Sequence, residues 1–186
     1  DQLGELVLPE PSILGDHQLY NISTAIAASR KIFSIKNENI VNGIKNISLK
    51  ARLEEIKSGK LKDIAGNNKL IIDGGHNISA SASIANWIKN QNEEVNLIAG
   101  MMKDKEHVEF IKAFENIVNS ITLIDIPNQD GAISKEDFKK KLDNLKLNLK
   151  LSNDIKESIK SLSQNENTII LCVGSLYLAG EILSLN

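Results

Sequence analysis

The stretch IIDGGHN, residues 71–77, holds the side chains of this sequence that are best suited to chemistry. An apolar run gives way there to a carboxylate, two glycines, an imidazole and an amide, which are poor materials for a packed core. Asp73 can accept a hydrogen bond from a ribose hydroxyl or orient a cation-bound phosphate, and His76 and Asn77 lie where a helix is predicted to begin. The simpler alternative is that Asp73 and Asn77 only cap that helix.

Charged residues with similar potential occur at two other places. Arg52, in the segment KARLE, carries a planar fork of donors that matches phosphate, although a surface salt bridge would explain it as well. Lys103, Asp104 and Lys105 place two cations and one anion beside another predicted strand end, where a solvated loop is the alternative.

Ser175 follows Gly174 directly after the most apolar run of the chain. Its hydroxyl and backbone N–H can hold a carboxylate, and the alternative is a hydroxyl that caps the next helix. The flanking residues do not form the Gly-x-Ser-x-Gly motif of a hydrolase nucleophile. The sequence also lacks the glycine-rich motifs that bind dinucleotides and the P-loop motif that binds nucleoside triphosphates.

The elements that position these residues alternate between strands and helices after residue 50. Strands are predicted at residues 69–73, 95–99, 121–126, 147–151 and 168–173, and helices at residues 78–90, 105–117, 134–145, 154–162 and 176–183. Two earlier helices are predicted, one over residues 17–33 that Asp16 caps, and a shorter one that Asn37 caps and that runs through Asn46. The order predicts an α/β fold with a mostly parallel sheet and helices on both faces.

The candidate loops follow three of these strands, at residues 73–77, 100–105 and 174–175. Each contains a glycine, which allows the backbone a positive φ or a close approach to a ligand. Ligands of open α/β sheets lie beyond the carboxyl ends of the strands. The sequence therefore predicts a ligand site where these three strands end.

Composition excludes several classes of protein. The 186 residues are 41% hydrophobic and 25% charged, with a formal charge of −2 and a pI near 6.0, which argues against nucleic acid as the main partner. No apolar run approaches the length of a membrane helix, and the single cysteine, Cys172, is predicted to be a reduced core thiol. We expect a cytoplasmic monomer, and the start at Asp1 in the middle of a pattern suggests a fragment.

Five segments resemble one family in order and spacing: GDHQLYN (15–21), ARLE (51–54), IIDGGHN (71–77), AGMMKDK (99–105) and VGSLYLAGE (173–181). They are similar to the C-terminal part of bacterial folylpolyglutamate synthase/dihydrofolate synthase, a member of the Mur ligase superfamily. The resemblance implies that residues 1–48 are the tail of a central P-loop ATPase domain. Residues 49–186 would form the Rossmann-like C-terminal domain.

The family's reaction is implied by the same resemblance. ATP phosphorylates a carboxylate of dihydropteroate or a folate, and L-glutamate attacks the acyl phosphate to form an amide. Asn21 would contact the adenine end of ATP, while Arg52 and Asp73 would reach its phosphates and ribose. The P-loop, the ligands of Mg²⁺ and the pterin-binding loops would lie in an upstream half.

The remaining roles implied by the resemblance concern glutamate. His76 would act in catalysis by placing the glutamate or the acyl phosphate, next to Asn77. Ser175 would bind the glutamate carboxylate, with Lys103 or Lys105 near the same cleft. The chain departs from the family at Lys50-Ala51, where Pro-Gly usually precedes the arginine, and at Ile78, where proline is usual. We expect the backbone that presents Arg52 to be less fixed as a result.

Two other functions remain as alternatives. The first is a truncated, non-catalytic remnant that binds a nucleotide or a partner. The second, a Rossmann oxidoreductase, is disfavoured because no dinucleotide fingerprint follows any strand. If the loops are functional, truncating Asp73 or Arg52 should cost at most about 1 kcal/mol of folding, since loop residues make few core contacts.

Overall fold

A computed structural model describes residues 4–186, apart from the side chains of Asp16 and His17. The chain divides into two compact units, Asp1–Lys50 and Ala51–Asn186. The first contains α1 (Asp16–Ile32) and α2 (Asn37–Lys45). Both helices lie where the sequence predicts them.

The predicted helix caps of the first unit differ from the structure. The capping role of Asp16 rests on a side chain outside the described ones, and the backbone places Gly15 at the N-cap of α1. Helix α2 already includes Asn37, with Lys36 at its N-cap and no side-chain cap, so the cap predicted at Asn37 is wrong. Ile40 and Ile44, four residues apart on α2, are buried, as expected for an amphipathic helix.

The second unit alternates strands with helices, as predicted. Its elements are β1 (Glu54–Ile56), α3 (Lys60–Ala65), β2 (Lys69–Ile72), α4 (Ile78–Lys89), β3 (Val95–Ala99), α5 (His107–Lys112), β4 (Ser120–Leu123), α6 (Lys135–Lys141), β5 (Leu149–Leu151), α7 (Ile155–Leu162), β6 (Ile169–Val173) and α8 (Leu176–Leu185). The α/β class is confirmed. The sequence does not predict β1 and α3, because both are too short for a clear periodic signal.

The six strands form one sheet in the order β1-β2-β6-β3-β4-β5. Only β1 is antiparallel to its neighbour, and the other pairs are parallel. The last strand, β6, lies between β2 and β3, and its residue Cys172 pairs with Ile72 on one side and Ile98 on the other. The carboxyl ends of β2, β6 and β3 therefore lie side by side.

Successive strand residues point to opposite sides of the sheet. Because both sets are apolar, helices cover both faces. Leu97 and Leu171 belong to the hydrophobic cluster on one side, and Ile98 and Ile170 to the other. Cys172 is buried, as predicted, and desolvation raises the pKa of its thiol to about 12. No helix within residues 4–186 is long and apolar enough to cross a membrane.

Candidate functional site

The three predicted loops meet at the carboxyl edge of the sheet. The Asp73 N–H donates to the Cys172 carbonyl at 2.9 Å, and the Gly174 N–H donates to the Gly75 carbonyl at 3.0 Å. On the other side of β6, the Gly100 N–H donates to the Val173 carbonyl at 3.3 Å. The loops are thus joined by their backbones rather than being merely near one another.

Two glycines are required for this close approach. Gly174 has a φ of 104°, and a Cβ there would lie 2.7 Å from the Gly100 carbonyl oxygen. A Cβ on Gly74 would lie 2.2 Å from Cδ2 of Leu176 and 3.2 Å from Nη1 of Arg52. Arg52 therefore lies over the backbone of the loop at residues 73–77.

The turn that carries Arg52 is fixed by its neighbours. Ala51 and Leu53 both have positive φ values, 53° and 47°, a region that L-residues other than glycine rarely adopt. The Gly74 N–H donates to the Ala51 carbonyl at 2.9 Å, and Arg52 Nη1 donates to the same oxygen at 3.0 Å. The expectation of a less fixed backbone at Lys50-Ala51 does not fit this network.

The buried side chain of Asp73 connects the Arg52 turn to the loop at residues 73–77. Its side chain is 5% exposed, and its oxygens accept from the Leu53 N–H at 2.8 Å and the Gly75 N–H at 2.7 Å. It does not cap α4, so that alternative is wrong for Asp73. The small folding cost expected for its truncation does not fit a buried carboxylate with two backbone donors either.

His76 and Asn77 follow at the start of α4. The Nδ1 atom of the half-buried His76 lies 2.9 Å from the Gly74 carbonyl oxygen, which can only accept, so Nδ1 carries the proton. In the neutral ring Nε2 is then an acceptor. Asn77 is the N-cap of α4, and its Oδ1 accepts from the Ala80 N–H at 2.9 Å, as the capping alternative predicts.

Ser175 is the N-cap of α8. Its hydroxyl oxygen accepts from the Tyr177 N–H at 3.1 Å, and the residue is 3% exposed. The capping alternative therefore describes its position. The hydroxyl proton can rotate, so a cap of this kind retains a donor.

The loop at residues 100–105 carries charges that pair locally. Lys103 donates through Nζ to the Asp130 carbonyl and through its N–H to the Gly131 carbonyl, both at 2.8 Å. Lys105 Nζ lies 2.8 Å from Oδ2 of Asp104. That hydrogen bond mainly, with a smaller contribution from His76, holds the pKa of Asp104 below its usual value. The charged side chains of this loop thus bind one another or nearby backbone carbonyls.

His107 is a residue of this edge that the sequence analysis missed. It is 2% exposed, with Nε2 3.0 Å from the Met102 carbonyl oxygen and Nδ1 3.2 Å from Lys141 Nζ. Burial first, and then the Lys141 charge, lower its pKa. A neutral ring that donates from Nε2 and accepts at Nδ1 satisfies both partners. Because Lys141 is far from His107 along the chain, no local sequence pattern predicts this contact.

Asn21 belongs to the first unit, on the exposed surface of α1. Its Nδ2 donates to Gln18 Oε1 at 3.1 Å. Its contact with adenine stays a prediction. Among the described side chains, no group of three or more His, Cys, Asp or Glu residues could hold a metal ion.

Known proteins similar to this chain share one family. The family profile described as "Dihydrofolate synthetase, C-terminal domain" matches residues 56–185. A dihydrofolate synthase/folylpolyglutamate synthase from Bacillus subtilis is 25% identical over 174 residues, which is 92% of this chain and 39% of that relative. One from Buchnera aphidicola is 25% identical over 182 residues, 90% of this chain and 41% of its own length.

Solved structures show the same fold. Folylpolyglutamate synthase from Mycobacterium tuberculosis, complexed with ADP and AMPPCP, aligns with a TM-score of 0.82 at 18% identity, over 94% of this chain and 41% of its own. A bifunctional synthase from Yersinia pestis, complexed with AMPPNP and a Mn ion, gives 0.78 at 19% identity, over 95% of this chain and 40% of its own. The chain thus spans about 40% of the length of these proteins.

These matches confirm the resemblance that the five segments indicate. The profile covers most of the second unit and well over half of the chain. The mostly parallel α/β fold of this chain agrees with that of the solved synthases, at TM-scores of 0.82 and 0.78. The chain belongs to the family of dihydrofolate synthetase C-terminal domains.

Proposed function

We propose that this chain is the C-terminal part of an ATP-dependent ligase that joins L-glutamate to dihydropteroate, to folates or to both. Relatives named dihydrofolate synthase/folylpolyglutamate synthase support the class of reaction. The observation that carries the proposal is the convergence of three strand-end loops and the Arg52 turn at one edge of the sheet. A loop set of this kind is the usual place for a ligand in an open α/β sheet.

Positive charge is the first requirement of the proposed reaction. A substrate carboxylate takes the γ-phosphoryl group of ATP to form an acyl phosphate, and negative charge moves over the phosphoryl oxygens. Arg52 supplies a fixed charge and a donor fork suited to those oxygens. Asp73 serves the same ligand chiefly by holding the turn that presents Arg52, through its bond to the Leu53 N–H.

An oriented amine is the second requirement. The amine of glutamate must reach the acyl carbon with its lone pair in line, and the amide forms as phosphate leaves. His76, with Nδ1 donating to the Gly74 carbonyl, presents Nε2 as an acceptor for that amine. In the proposal Ser175 and Asn77 bind the glutamate from the two neighbouring helix starts, and Lys103 lies beside them.

The proposal also concerns the domain boundaries, the metal ion, the location and the oligomeric state. The first unit, with Asn21 on α1, is assigned to the tail of the central ATPase domain, residues 1–48, and the C-terminal domain to residues 49–186. The ligands of Mg²⁺ are proposed to lie in the upstream half, as the family resemblance implies. A cytoplasmic location and a monomeric state stay predictions from the sequence.

The test uses the longer protein in which this chain is joined to its upstream half. We expect phosphate release from ATP that requires L-glutamate and either dihydropteroate or tetrahydrofolate, measured together with the ligated product. A folded protein that releases no glutamate-dependent phosphate with either pterin substrate would contradict the proposal and favour the non-catalytic remnant.

Arg52 provides the corresponding variant. Arg52→Ala should lower turnover by about 10²–10³-fold, the usual effect of removing one group that stabilises transition-state charge. Lys57→Ala, which removes an exposed cation just beyond β1, is the matched control and should behave as wild type. Equal activities for the two variants would show that Arg52 does not act on phosphate.

A further inference from the structure

Glu54 is the first residue of β1, and it holds the amide that precedes Arg52. Its Oε2 accepts from the Ala51 N–H at 2.8 Å. On the other side of Arg52, Asp73 Oδ2 accepts from the Leu53 N–H, also at 2.8 Å. The residues before and after Arg52 are therefore each bound to a carboxylate by their backbone N–H.

The two carboxylates stand on a rigid base. Glu54 pairs with Ile72 across the antiparallel ladder between β1 and β2, and Asp73 directly follows Ile72. Both side chains thus leave neighbouring strand ends at the same edge of the sheet. A turn anchored to paired strands at both ends has little freedom to reorient.

The backbone between these anchors needs them. Ala51 and Leu53 both have positive φ values, which are unfavourable for residues that carry a Cβ. Such conformations persist only when surrounding contacts overdetermine them. A charge-assisted hydrogen bond to each of the two N–H groups is a contact of this kind.

We propose that Glu54 is a positioning residue, whose carboxylate sets the direction of Arg52 by holding the Ala51 amide. The inference rests on the proposed role of Arg52 at the phosphates of ATP. Glu54 itself touches no substrate in this proposal. It acts only through Arg52, so its effect should vanish when Arg52 is absent.

A double-mutant cycle in the longer protein tests this dependence. Glu54→Ala should lower kcat/KM for ATP by about tenfold or more, because small displacements of a positioned group carry large kinetic costs. It should leave the KM for L-glutamate unchanged. In an Arg52→Ala background, the same substitution should have less than about a twofold further effect.

Conservative variants separate position from charge. Glu54→Gln keeps an acceptor oxygen at the same reach and should retain most activity, whereas Glu54→Asp is one methylene shorter and should be impaired despite its charge. Glu55→Ala removes an exposed carboxylate from the next position of β1 and is the matched control. Normal activity in Glu54→Asp together with a loss in Glu54→Gln would overturn the proposal.

A structural measurement accompanies the kinetics. In this chain, hydrogen exchange at the Ala51 amide should be faster in Glu54→Ala than in wild type. We expect an increase of about tenfold or more, because the amide opens locally once its acceptor is removed. The positioning role is wrong if Arg52→Ala lowers kcat/KM for ATP and Glu54→Ala does not. It is also wrong if Glu54→Ala lowers kcat/KM equally in the wild-type and Arg52→Ala backgrounds. If Arg52→Ala leaves activity unchanged, the proposed role of Arg52 at phosphate is wrong, and the role of Glu54 is wrong with it.

Discussion

The two sides of the candidate site use their charges in opposite ways. Around the Arg52 turn, the buried or half-buried carboxylates of Asp73 and Glu54 bind backbone N–H groups. In the loop at residues 100–105, Asp104 and Lys105 bind each other at the surface. A carboxylate bonded to backbone fixes the path of the chain, whereas an exposed ion pair contributes little. The Arg52 side is thus the more rigid half of the site.

The largest expected effect concerns Asp73. Asp73→Ala removes two hydrogen bonds to a buried carboxylate and leaves the Leu53 N–H without its acceptor, which should cost about 3 kcal/mol or more of unfolding free energy. Urea denaturation of this chain measures the loss. The matched variant is Asp104→Ala, an exposed carboxylate of the other loop, for which we expect at most about 0.5 kcal/mol. Similar losses for the two would remove the contrast.

The second effect tests the junction between the two sides. Gly174→Ala should cost about 2 kcal/mol, because the residue has a φ of 104° and the new Cβ would lie 2.7 Å from the Gly100 carbonyl oxygen. Gly180→Ala on α8 is the control, since nothing lies within 4 Å of its Cβ position. There alanine should be neutral or stabilising by up to about 1 kcal/mol. Equal melting temperatures for both variants would show that the loops can separate at no cost.

These contrasts also show what the sequence can predict. The span of β3, residues 95–99, agrees with the structure, because this short, mostly apolar stretch lies between two glutamates and a glycine, which mark its ends. Parallel order alone places the three loops at one edge of the sheet, but their direct contact depends on the strand order β2-β6-β3, which the sequence does not predict. The sequence does not predict the partner of Asp73 either, because Leu53 is 20 residues away and lies in a turn with positive φ that its residue types do not indicate.

Element ends were less predictable for a similar reason. The helix predicted at residues 105–117 spans only His107–Lys112, and the strand predicted at residues 121–126 ends at Leu123. Ile124 and Ile126 remain buried beyond that strand, although only the Ile124 N–H still bonds to β3, at the Ala99 carbonyl. Burial and strand pairing produce the same apolar pattern, and only the three-dimensional contacts separate them.

The third prediction concerns His107, which is buried and bonds to the Met102 carbonyl of the loop at residues 100–105. The pKa of His107 is lowered in the folded protein, so its neutral form is favoured there. Its contribution to stability is complete above the unfolded value near 6.5 and is lost as the pH falls from there toward the folded value. Protonation would place a cation against Lys141 and disrupt the acceptor at Nδ1.

Urea denaturation between pH 7.5 and 5 provides the measurement for His107. The wild-type chain should lose stability across the lower part of this range, and His107→Gln should show a shallower dependence from a lower starting value. Parallel curves for the two proteins would show that His107 is not the group that titrates.

The smallest effect is expected at Lys103, which is exposed and whose ammonium donates to the Asp130 carbonyl. Replacing it with alanine removes one exposed hydrogen bond but keeps the backbone bond from its N–H to the Gly131 carbonyl, so the loop should hold its path. We expect a change of at most about 0.5 kcal/mol in unfolding free energy. In the longer protein, turnover should fall less than about tenfold, well below the effect of losing Arg52, since a flexible cation bound to a neighbouring carbonyl is not preorganised for phosphate. Melting temperature and glutamate-dependent phosphate release measure the two quantities in the same preparation. A loss of turnover as large as that of Arg52→Ala, at normal stability, would mean that Lys103 leaves the Asp130 carbonyl during the reaction, and the contrast between a rigid and an accessory side of the site would be wrong.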